Sequence, residues 1–245
     1  MRTALVRRTV LTASAVSLAL LATACGSDTS DKNVDGAKPA PSAPAASAAP
    51  AAKAKTDAEL AALLVTQADL PTHGVKAATP AELAAAAGAG SDKPECLPLA
   101  KAQSTAPVGT AVGKAGTKAV AKPKSVDEVL GATVTSVALA SYEGKGAEEA
   151  FAAIKAAATA CAGGYTGSQA GDSLKITKVI PGTPVTAGDA ALAYTELGDV
   201  DGETAGMELV VVRKGNILAT FSAVSPSGTA EQPKAIVEIQ AKKLG

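Results

Sequence analysis

The sequence predicts an α+β domain: an antiparallel sheet with helices packed on one face, a single domain behind a disordered N-terminal tether. Three observations carry that reading. β-branched runs follow one another in the second half of the chain after a single crossover helix. Helical segments lie at both ends of the folded region. An alanine- and proline-rich stretch separates that region from the N terminus. Strands in a run with helices at the ends favour an antiparallel arrangement over a doubly wound parallel one.

The first element is a leader. Arg2, Arg7 and Arg8 precede an uncharged apolar run from Thr9 to Leu21, and the small residues Ala22, Thr23 and Ala24 precede Cys25. A basic region, an apolar core and a small-residue cleavage site make a secretory signal over residues 1–24, and the run is shorter than the roughly 20 residues of a membrane-spanning helix. The closing "LATAC" resembles the lipobox of bacterial lipoproteins, with Leu21 one place farther from the cysteine than usual. By that resemblance Cys25 is the lipidated N terminus of the mature chain, held at the extracytoplasmic face of the cell membrane. The alternative is plain secretion with Cys25 a free thiol. "RRTVL" also resembles a degenerate twin-arginine signal, so the export route stays open.

Residues 25–55 contain the lipidated cysteine and a linker, "GAKPAPSAPAASAAPAAKAK", that has little to bury in a core. As flexible coil it reaches roughly 30 Å, more where proline stiffens it. Removing the three leader arginines from 23 basic and 23 acidic residues leaves the mature chain at −3. An acidic balance argues against nucleic acid as a partner.

The folded region, residues 56–245, opens with helices. Asp57 to Val65 is one, with Thr56 as N-cap; "TQADLP" reads as a short helical turn stopped by Pro71, and Pro80 to Ala87 starts with proline in its first turn. Pro94 to Ser104 adds a further helical segment carrying Cys96, whereas residues 105–124, rich in Gly, Pro and Lys, read as loop with at most one edge strand. "TVTSVALASY" is then a strand, and a helix follows from Ala147 to Cys161. Its Phe151, Ile154, Ala158 and Cys161 share one stripe.

"SLKITKVI", "AALAYTEL", "MELVVVRK" and "ILATFSAV" follow as strands, and Pro233 to Leu244 closes the chain as a helix. The last two strands meet at Gly215-Asn216, a tight antiparallel hairpin. Val210, Val212, Ile217, Ala219 and Phe221 share one of its faces. Leu209, Val211, Leu218, Thr220 and Ser222 share the other, a mixed face open to solvent, a groove or a partner. Apart from Cys25 the chain has two cysteines, Cys96 and Cys161, and an even pair in an exported protein reads as a disulfide; two separate buried thiols are the alternative.

"LLVTQADLP", "CLPLA", "AEEAFAAIKAAATAC", "GDAALAYTEL" and "MELVVVRKGNILATFSAV" resemble, in that order, the PknH-like extracellular sensor domain of mycobacterial serine/threonine kinases and related actinobacterial lipoproteins. The resemblance covers about Asp57 to Leu244. It implies an exported, anchored α+β domain with a cleft for an envelope or external ligand. The kinase members carry two disulfides by that resemblance, and this chain has cysteines for one.

Enzyme-like fragments have plainer readings. Gly144-Lys145-Gly146 opens like a dinucleotide turn, but Glu149 stands at the third glycine position, and Glu148 and Glu149 place negative charge where a phosphate would sit. "DVDGE", Asp199 to Glu203, lacks the distal glutamate of a calcium loop and reads as a turn. His73, the single histidine, has no nucleophile elbow to accompany it and reads as a loop residue. The expectation is a binding or sensing lipoprotein without catalytic residues, metal or cofactor; the alternative is an adaptor presenting a surface to an envelope partner. Tyr142, Tyr194 and Phe221 are the candidate ligand contacts, in a cleft between the sheet and the Ala147 to Cys161 helix, because aromatic rings combine contact area with a polar handle in tyrosine.

Overall fold

The structure is a computed structural model that describes residues 53–123, 131–226 and 228–245. The expected leader, Cys25 and nearly all of the linker lie outside the described residues. In chain order the elements are α1 (Asp57–Ala61), β1 (His73–Ala77), α2 (Pro80–Ala87), β2 (Gly90–Ser91), a 3-10 turn (Pro94–Cys96), α3 (Leu97–Gln103), β3 (Gly113–Ala121) and β4 (Val134–Ser141). Then come α4 (Gly146–Ala160), β5 (Tyr165–Gln169), β6 (Asp172–Pro181), β7 (Ala190–Val200), β8 (Glu203–Lys214), β9 (Ile217–Val224) and α5 (Lys234–Leu244). The nine strands form one sheet in the order β1-β3-β4-β9-β8-β7-β6-β5-β2, every neighbouring pair antiparallel. The antiparallel α+β class read from the sequence is the observed one.

Local chemistry sets the helix starts. Thr56 and Thr79 each close a capping box, with Glu59 and Glu82 three residues on returning to the cap N–H at 2.7 Å in both cases. α2 has the bounds read from the sequence. α1 stops at Ala61, four residues earlier than the apolar pattern implied, because Leu64 and Val65 turn into the core. There the Val65 N–H donates to Gln240 Oε1 of α5 at 3.0 Å, and Gln240 Nε2 donates to the Leu63 carbonyl at 2.9 Å.

The central strands bury both faces, and this decides where the helices go. One core joins Leu209, Val211 and Leu218 to α3 and α4; the other joins Val210, Val212, Ile217, Ala219 and Phe221 to Leu60 of α1 and Ile236 and Val237 of α5. Helices therefore cover both faces, a correction to the expectation of one. From Leu209 to Val212, β8 is apolar in both registers, so each face needs a cover.

β3 runs between β1 and β4, through the segment read as loop. Its inward Ala115 and Ala119 alternate with Lys114, Gly116 and Lys118, a period of two spelled in alanine rather than in branched residues. The free edge of β1 is occupied by one side chain: Gln67 Nε2 donates to the His73 carbonyl, and the Val75 N–H donates to Gln67 Oε1. That removes a template for strand addition.

Cys96 and Cys161 form a disulfide that ties the 3-10 turn before α3 to the end of α4, both residues within one core. "DVDGE" is the β7–β8 turn, with positive φ at Asp201 and Gly202 and the Gly202 N–H on Asp199 Oδ1 at 2.9 Å. A two-residue turn with both central φ positive matches the right-handed twist of the flanking strands.

Candidate functional site

On the face that carries α3 and α4, the sheet is not covered throughout. An open cavity of about 540 Å³ lies between α2, the end of α3, the β5–β6 hairpin and strands β3, β4 and β9. Small side chains keep it empty. Ser136 and Ser222 stand directly opposite one another on β4 and β9 and form the floor with Gly116. A Cβ on Gly116 would stand 3.2 Å from Leu83 and 3.4 Å from Ala78, so glycine lets α2 sit close to the sheet. Leu83, Leu174, Ile176 and Met207 supply the apolar lining.

The charged groups of the wall neutralise each other. Lys118 Nζ donates to Glu82 Oε1 at 2.7 Å, while Glu82 Oε2 receives the Thr79 N–H and hydroxyl. The lysine first and the Thr79 bonds next hold the Glu82 carboxyl at about 2. A single glutamate therefore caps α2, fixes Lys118 and forms part of the cavity wall.

The end of α3 carries backbone strain into the cavity. The Ala106 N–H returns to the Lys101 carbonyl at 2.8 Å and the Thr105 N–H to Ala102 at 2.9 Å, the double closure of a Schellman motif. Thr105 takes the left-handed position at φ 57°, where glycine is usual. A β-branched residue there costs about 1–2 kcal/mol. Thr105 lines the cavity, as does Ala170, the second of three non-glycine residues with positive φ among the described residues. Gln103, also in the lining, buries an Oε1 that has no hydrogen-bond partner among the described residues.

Behind the wall sits a buried acid. The Tyr165 hydroxyl donates to Glu196 Oε2 at 2.9 Å, and Glu196 pairs across the strands with Met207. Glu196 is fully buried, and loss of water pushes its carboxyl up to about 8.

None of the three aromatic candidates lines this cavity. Tyr142 is 1% exposed in the core beneath α4, where burial pushes its hydroxyl up to about 12. Phe221 is sealed in the opposite core, and Tyr194 packs half-buried beside the first. The structure separates them because Phe221 and the two tyrosines point to opposite sheet faces. α4 contributes nothing to the cavity; its apolar stripe is spent on Leu209, Val211 and Leu218. The open groove lies instead at Ser222, on the mixed face of the β8–β9 hairpin. The residues that do line it, from Gly116, Ser136 and Ser222 to Leu83 and Leu174, come from separate segments that only the fold brings together. His73 lies on the edge strand β1, 3.1 Å from the Thr72 hydroxyl and away from the cavity.

Fold and cavity together define an α+β domain with an open cleft on one face of a nine-stranded antiparallel sheet. The chain belongs to the family of PknH-like extracellular domains, whose pattern it matches over residues 55–243. Its fold is similar to that in the crystal structure of the extracellular domain of PknH from Mycobacterium tuberculosis, with a TM-score of 0.50 over 78% of this chain and 96% of that one. At 11% identity the likeness is one of fold. No match was found among curated proteins.

Proposed function

We propose that this protein is an extracytoplasmic lipoprotein, anchored at the outer face of the cell membrane through Cys25, that binds a small-molecule envelope or external ligand in the cavity beside α2. The observation that carries this reading is the cavity itself: about 540 Å³, within the roughly 300–1,000 Å³ of small-molecule sites. It is floored by serine and glycine where the same sheet face elsewhere is filled by Leu209, Val211 and Leu218. A protein presenting only a flat adaptor surface has no need of such a space. Membership of an extracellular domain family agrees with export, and the leader and linker provide the anchor and the reach.

Native extraction of the full chain, followed by mass spectrometry of what it retains, tests the reading. Ser222→Leu places a branched side chain over the floor. The variant is expected to lose a compound that wild type retains while keeping its melting temperature. Identical retention by the two proteins would sink the assignment of this cavity.

A further inference from the structure

We propose that the cavity takes an uncharged amphiphile, an aliphatic chain bearing a hydroxyl or amide head, with the chain against Leu83, Leu174, Ile176 and Met207 and the head against Thr105. This rests on the ligand-binding reading above and narrows it to one class of molecule.

Charge gives the first argument. Lys118 and Glu82 bind each other at 2.7 Å, and Asp172 stands exposed at the rim. Glu196 lies behind Tyr165 and Met207, and its burial keeps the carboxyl protonated at neutral pH. An anionic head therefore meets no unpaired cation among the described lining residues, and an ammonium meets no carboxylate inside. Burying an unpaired charge costs far more than burying a hydroxyl that finds a partner.

The apolar surface favours a chain over a sugar. Tyr165 is the one aromatic residue of the lining and is 4% exposed, with its hydroxyl committed to Glu196, so it offers no open ring face for stacking. Val120, Val134 and Val224 stand opposite one another on β3, β4 and β9. Val120 and Val224 are each 38% exposed, and Val224 also lines the cavity. An apolar strip thus runs from solvent to the cavity mouth.

Thr105 places the head. Glycine would satisfy the same helix end without strain, yet the sequence keeps a hydroxyl and a methyl there, two residues from the unpartnered Gln103 Oε1. Backbone strain held at a cavity wall is a mark of a working surface.

Equilibrium dialysis of the full chain against 1-monooleoylglycerol, oleate and oleylamine, below their micellar concentrations at neutral pH, separates the outcomes. Monooleoylglycerol should bind saturably and roughly tenfold more tightly than either charged probe, because only it avoids burying a charge. Ser222→Leu should abolish that binding. Thr105→Gly should weaken it about fivefold while raising the melting temperature, and Thr105→Ser should restore it, since only a contact moves affinity and stability in opposite directions. A charged probe that binds as tightly and is blocked by Ser222→Leu overturns the ligand class and leaves the cavity's role intact. The ligand class is equally overturned if no probe binds while Ser222→Leu loses a native compound. Unchanged affinity in Thr105→Gly overturns the placement of the head. If no probe binds and Ser222→Leu retains the same compounds as wild type, the binding reading itself falls.

Discussion

The Tyr165 hydroxyl donates to Glu196 Oε2 at 2.9 Å from β5 across β6 to β7, joining a residue of the cavity wall to the most deeply buried acid on that face. Burial raises the Glu196 carboxyl from 4.5 to about 8, and the tyrosine bond only partly opposes the shift. A carboxyl raised in the folded state favours the protonated native form. Its contribution is therefore fully present below the unfolded value near 4.5 and is lost as pH rises through about 8.

Stability should accordingly fall between those two values by a few kcal/mol, on the order of 1.4 kcal/mol per pH unit, and level off above them. Glu208, raised in the same direction by burial, adds to the trend. Glu196→Gln keeps an acceptor for Tyr165 without the charge. Urea midpoints of variant and wild type across this range should converge in acid and separate in favour of the variant in alkali; parallel profiles would contradict the assignment.

Gln240, fully buried on α5, satisfies the Val65 N–H and the Leu63 carbonyl, 175 and 177 residues away in sequence. Gln240→Leu retains the volume and orphans both backbone groups. The expected loss is about 2–4 kcal/mol, since each unsatisfied buried group costs about 1–3 kcal/mol. Denaturant unfolding with an unchanged m-value checks it, and a loss below about 1 kcal/mol would mean that water replaces the amide.

Cys96 and Cys161 lie 65 residues apart in sequence with Cα atoms 5.9 Å apart. Closing a loop of that length stabilises by about 4 kcal/mol through the unfolded chain. The double variant Cys96→Ser, Cys161→Ser should lower the urea midpoint accordingly, most visibly in the packing of α3 on α4. Thiol labelling of denatured, unreduced wild type should modify neither residue.

Cys25 should carry the anchor. Cys25→Ser is expected to release a cleaved protein from the membrane fraction or to leave the uncleaved precursor in place. A correctly cleaved Cys25→Ser variant that stays on the membrane counts against lipidation, since each methylene of an acyl chain contributes about 0.8 kcal/mol to retention.

Local chemistry was legible in the sequence. α2 began at Pro80, the proline of its first turn, the β8–β9 hairpin turned at Gly215-Asn216, the stripe on α4 carried Cys161 into the core, and the two cysteines joined. Each of these rests on residues a few positions apart or on a pair with no competing partner. The short strands β1, β2 and β5 were not legible, because "HGVKA", "GS" and "YTGSQ" have little strand preference of their own. They are extended because β3 offers hydrogen bonds to β1, β5 to β2 and β6 to β5. The aromatic candidates failed for a related reason: a ring's type shows that it will be buried, but not which face of the sheet buries it or whether space remains beside it. By itself the sequence determined an antiparallel α+β domain with one disulfide. Only the tertiary structure decided that helices cover both faces and that the cavity opens at Ser136, Ser222 and Gly116, because empty space is fixed by the side chains that long-range pairing leaves small.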